Sequence, residues 1–84
     1  MQDVRQATEH TVEVGRKKIA EQRERIARQR MLVERLQANG EHGALSHQAS
    51  ALLTELVKTL DAMLASQRAA EQRLVQEAEA LDER

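Results

Sequence analysis

The sequence predicts an all-α fold: two long antiparallel helices forming a helical hairpin, with hairpins pairing into a dimeric four-helix bundle. Three observations point there. The 84 residues contain no Pro, no Cys and no aromatic residue. Gly is confined to Gly15 and to the Gly40/Gly43 pair. On both sides of that pair apolar residues recur at alternating steps of three and four, the a/d spacing of a coiled coil.

Helix 1 is predicted from about Asp3 to Ala38. Its seam reads Val12, Gly15, Ile19, Gln22, Ile26, Gln29, Val33, Leu36. The Asp3 carboxylate can accept from the free amides of the first turn and so cap it. Asn39-Gly40 follows directly, and Gly just past a helix end can take the left-handed conformation that stops it. Residues 39–45 form the turn, short enough to make the helices antiparallel neighbours.

Helix 2 is predicted from about Ser46, as its cap, to about Asp82. Its seam reads Ala49, Leu53, Leu56, Leu60, Met63, Gln67, Ala70, Leu74, Glu77, Leu81. Each helix then spans about 55 Å at 1.5 Å per residue. Folding the seams together sets Leu36 near Ala49, Val33 near Leu53, Ile26 near Leu60, Ile19 near Gln67 and Val12 near Leu74. Gly15 falls opposite Ala70 as a small–small layer, and Arg16 opposite Glu71 as a surface ion pair. Thr8 near Glu77 and Arg5 near Leu81 close the bundle poorly, and both termini should fray. The seam residues Gln22, Gln29 and Gln67 could fix register. The favoured expectation is that their amides simply reach solvent.

Composition bounds the function. One domain covers residues 1–84. With 32% of the chain charged and only aliphatic apolar residues, it is a chain of amphipathic helices without a globular core. Two helices alone bury little surface, so self-association or a partner is the expected remedy. The net charge of −1 favours no class of partner. Met1-Gln2-Asp3-Val4-Arg5 carries no signal-peptide core and no run is long enough to span a membrane, which makes the cytoplasm the default location.

Candidate chemistry is sparse. His42 and His47 lack the i,i+4 spacing of helical metal ligands, His10 is remote from both, and there is no Cys to complete a set, so no metal site is expected. Gly40-Glu41-His42-Gly43 lacks the strand and Lys-Ser/Thr of a phosphate loop. Carboxylates on exposed helix faces have no cavity to shift their pKa values for acid–base work. The chain is expected to be no enzyme and to hold no cofactor.

Two surfaces remain. Leu52, Leu53, Leu56, Val57, Leu60, Met63 and Leu64 form a stripe wider than one partner helix covers, because Arg23 and Arg30 fall opposite Leu64 and Val57. A symmetric homodimer through this stripe is the commoner solution; a heterologous helical protein docking there is the alternative. The second surface is Arg16–Arg35, with eight cations against three acids. Arg23, Arg28, Arg30 and Arg35 could contact a phosphate backbone. Against that, Glu21→Arg25 and Glu24→Arg28 are placed to pair within the helix, and no aromatic residue is present to stack on bases. Nucleic-acid association is the alternative to the interaction-module reading. Membrane-surface binding is disfavoured by the sparse apolar side of helix 1 and its lack of aromatic anchors.

Lys18-Ile-Ala-Glu-Gln-Arg-Glu-Arg-Ile-Ala-Arg-Gln-Arg30, then Leu32-Val-Glu-Arg-Leu36 and Asn39-Gly40, resembles a family of short, uncharacterised bacterial helical proteins. Their pattern is an Ile-Ala-x-Gln-Arg helix, an Asp/Asn-Gly turn and a Leu-rich second helix. Here Ile26-Ala27-Arg28-Gln29-Arg30, Asn39-Gly40 and Ala51-Leu52-Leu53 occupy those places, over roughly residues 18–64. Gln22 replaces a frequent Gly, and the turn after Gly40 is longer. The resemblance implies a bacterial cytoplasmic hairpin, adds no activity, and supports Ser46 as the start of helix 2, where a Thr is common.

Overall fold

The computed structural model describes residues 2–82, with side chains from residue 5 onward. It is a hairpin of two long α-helices, α1 (Gln2–Ala38) and α2 (Ala44–Asp82), packed against each other along their length. The molecule is a rod measuring 65 × 15 × 15 Å. Both helices run unbroken because nearly every position holds a good helix former and no Pro interrupts the hydrogen-bond ladder. The expected cap at Asp3, and the fraying beyond both ends, concern groups outside the described residues.

The exit from α1 is a Schellman motif. Glu41 N–H donates to Leu36 O at 2.8 Å and Gly40 N–H to Gln37 O at 3.1 Å. Gly40 adopts φ +77°, which a Cβ would oppose. Helix α2 then starts two residues earlier than Ser46, and this corrects the expected cap. Gly43 O accepts the first helical bond, from His47 N–H at 3.1 Å, so Gly43 takes the capping position. Ser46 instead turns inward within the first turn and is buried.

The Gln67 side-chain amide reaches Gly15, and Ala70 lines the same groove beside it. Ile19 and Gln67 share a groove, as expected. Arg16 reaches Glu71 (3.5 Å), and Thr8 Oγ1 donates to Glu77 Oε1 (3.0 Å). Arg5 pairs with Glu9 at 3.3 Å on its own helix.

Burial is uneven between the helices. On α1, Val12, Ile19, Ile26 and Val33 are buried at strict seven-residue spacing. On α2, Ala49 is the one apolar residue buried to that degree among the described residues. Of the α2 leucines, Leu53, Leu56, Leu60, Leu64 and Leu74 are half-buried, while Leu45, Leu52 and Leu81 are exposed.

Candidate interaction surface

The seam is held by an alternation of aliphatic and amide side chains. Gln22 Nε2 donates to Leu56 O and Gln29 Nε2 to Ala49 O, both at 2.8 Å. In the opposite direction Gln67 Nε2 donates to Val12 O at 2.9 Å. Each accepting carbonyl already receives an N–H within its own helix and uses its second lone pair here. Gln22 is 3% exposed and Gln67 9%, so the expectation that these amides reach solvent is wrong. Spacing alone does not reveal which way such an amide turns. Once packed, the cost of burying it unbonded drives it onto the facing backbone.

Gly15 makes the Gln67 bond possible. A Cβ at position 15 would overlap the Gln67 side-chain amide, so the bare backbone of α1 forms a notch that seats it. Gln67 Nε2 also lies 3.3 Å from Glu71 Oε1, which faces Arg16, giving a short polar relay from the surface into the seam.

The apolar stripe runs along α2 on both sides of this seam. None of Leu52, Leu53, Leu56, Val57, Leu60, Met63 or Leu64 is buried, and Leu52 is 50% exposed. Two open grooves flank it. One is lined by Leu32, Leu52 and Leu56 with Arg25, Arg28 and Gln29. The other sets Leu64 beside Arg16, Ala20, Arg23 and Arg68. The adjacency of Arg23 and Leu64 is the one read from spacing. Leu32 (43% exposed) and Leu45 (56%) extend the apolar surface toward the turn. Sequence reasoning passed over both, since Leu32 lies off the α1 seam and Leu45 was assigned to the turn.

The four arginines considered as phosphate contacts are all exposed, but they do not share a groove: Arg23 lines one and Arg28 the other. The helical pairs Glu21–Arg25 and Glu24–Arg28 are not closed; the ion pairs among the described residues are Arg5–Glu9, Arg16–Glu71 and Glu55–Lys58. His47 Nδ1 contacts Gly43 O at 3.0 Å, and no His, Asp and Glu cluster among the described residues is arranged to hold a metal ion. Among the same residues no helix is long and apolar enough to cross a membrane.

No protein-family model, curated protein or solved structure matches the chain. The resemblance noted from Ile26–Arg30 and Asn39-Gly40 therefore identifies no family, and what stands is a two-helix hairpin with exposed apolar residues and a half-covered apolar stripe.

Proposed function

We propose that the protein is a non-enzymatic interaction module that self-associates through the apolar stripe of α2, two hairpins forming a four-helix bundle. The observation that carries this reading is the incomplete cover of the stripe: of seven large apolar residues from Leu52 to Leu64, α1 leaves six half-buried and Leu52 exposed. A surface of that kind is costly to leave in water, at about 25 cal/mol per Å² of apolar area. The polar side chains buried in the seam are engaged with helix backbones, and the His and acidic residues are spread along open grooves. Both features suit a binding surface better than a catalytic one.

The test is molar mass by light scattering after size exclusion across a concentration series. Refractive index is the suitable detector, because the chain has no Trp or Tyr. A mass of two chains is expected. Leu52→Lys, at a half-exposed position, should reduce the mass to one chain while leaving the hairpin helical. Replacing Leu56 and Leu60 with Ser should abolish both association and much of the helicity. A wild-type mass of one chain at every concentration refutes the reading.

A further inference from the structure

Two cavities lie on one flank of the hairpin. The one nearer the turn, about 410 Å³, is lined by Leu32, Leu52 and Leu56 together with Arg25 and Arg28. The one nearer the open end, about 360 Å³, is lined by Val14, Met63 and Ala70 around the bare backbone of Gly15, together with His10 and Lys18. They share a flank because Lys18, Arg25 and Leu32 stand in one seven-residue column of α1, and Leu56, Met63 and Ala70 in one column of α2. The opposite flank holds the groove of Arg16, Arg23, Leu64 and Arg68.

The two flanks differ in charge. No carboxylate lines either cavity of the first. The columns that border it, from residue 11 to 35 on α1 and from 52 to 76 on α2, carry Lys18, Arg25, Arg28, Arg35 and Arg73 against Glu21 and Glu55. Glu55 is already paired with Lys58 at 3.5 Å. The equivalent columns of the opposite flank carry Arg16, Arg23, Arg30 and Arg68 against Glu9, Glu13, Glu34, Asp61, Glu71 and Asp82. There Arg16 is paired with Glu71 across the helices, whereas Lys18, Arg25 and Arg28 have no ion-pair partner among the described residues.

We infer that the first flank is a docking groove for an acidic amphipathic helix of another protein. Such a helix sets one apolar side chain into each cavity and turns carboxylates toward Lys18, Arg25 and Arg28. Lys18 and Arg25 are seven residues apart, so the carboxylates that meet them lie two turns apart on the partner. The distance from Leu52 to Ala70 along α2 is about 27 Å, the length of a helix of about 18 residues. A concave, aliphatic groove without Trp or Tyr suits a helix better than a flat lipid surface. The inference goes beyond the self-association reading, and the two occupants compete for Leu52 and Leu56.

The probe is a fluorescent synthetic peptide of three heptads, with Leu at two positions of each heptad and Glu beside them. A matched peptide carries Lys in place of Glu. Each is titrated with the full-length chain at about 50 mM salt, where charges are little screened, and anisotropy and molar mass are read. The Glu peptide should bind about tenfold tighter than the Lys peptide. Arg25→Glu combined with Arg28→Glu should reverse that preference. Arg23→Glu combined with Arg30→Glu, on the opposite flank, should change it far less, with circular dichroism checking that both variants stay helical. Equal binding of the two peptides, no binding of the Glu peptide, or an equal response to the 23/30 pair overturns the inference. So does adsorption to phosphatidylglycerol vesicles without uptake of peptide. The mass without peptide tests the self-association reading separately. A two-chain species should fall to one chain with one peptide, and a complex in which both chains stay paired would place the peptide elsewhere and overturn the inference.

Discussion

Gly15→Ala isolates the notch that seats Gln67. The added methyl overlaps the Gln67 amide, the free end of a flexible side chain, so the amide must swing out of the seam. Two effects then oppose each other. Ala in place of Gly favours a helix interior by about 1 kcal/mol. The displaced amide loses its 2.9 Å bond to Val12 O, a net contribution of about 1 kcal/mol. The carbonyl keeps its in-helix N–H, so no orphaned acceptor adds to the cost. The variant should therefore lie within about 0.5 kcal/mol of the wild type. With Gln67→Ala as background nothing obstructs the methyl, and the same substitution should stabilise by about 1 kcal/mol, or about 5 °C in midpoint for a chain this size. The assay is thermal unfolding followed by far-ultraviolet circular dichroism. All four proteins are held at one concentration, because association raises apparent stability. The difference between backgrounds is the coupling energy of the Gly15–Gln67 contact. Equal gains in the two backgrounds would refute the notch.

Three further outcomes follow from the same geometry. Gly40→Ala should cost about 1 kcal/mol, because φ +77° disfavours any Cβ, whereas Gly43→Ala, in open space without positive φ, should lower the melting midpoint only by what the poorer capping of α2 by Ala costs. Gln22→Leu replaces an amide bonded to an already satisfied carbonyl by an aliphatic group of similar size, and should raise the midpoint in the same melt; a marked fall would show that the amide bond holds the helices together. Arg16→Ala removes an ion pair whose side chains are 67% and 44% exposed, and urea unfolding should register less than about 0.5 kcal/mol.

Much of the hairpin is legible in the sequence, because the signals that specify it are local. The end of α1 at Ala38 follows from Asn39-Gly40, and the seven-spaced Val12, Ile19, Ile26 and Val33 announce the buried edge of α1. The partnerships Thr8–Glu77 and Arg16–Glu71 are also readable, since they follow directly from matching the two seams. What spacing does not carry is the start of α2. Ser46 offers a conventional cap, yet Gly43 takes that place. Spacing matched Gly15 to Ala70, which does line the same groove, but did not show the Gln67 amide that Gly15 also accommodates. The glutamines escaped for another reason: an amide at a seam can face water or the opposite backbone, and only the packed helices decide between them.

The acceptors of those three amides are main-chain carbonyls, a group every residue possesses. Gln22 and Gln29 are seven residues apart, as are the carbonyls of Ala49 and Leu56 that they reach. If α2 were to slide by seven residues along α1, both amides would find an equivalent carbonyl, and the aliphatic column of α1 would meet the same spacing again. The hairpin is in this sense a zip with interchangeable teeth. Its stops are the notch at Gly15 and the five-residue connection between Ala38 and Ala44. Lengthening that connection by two heptads' worth of flexible residues and filling the notch with Ala would release both stops, turning one fixed register into a set of neighbouring ones.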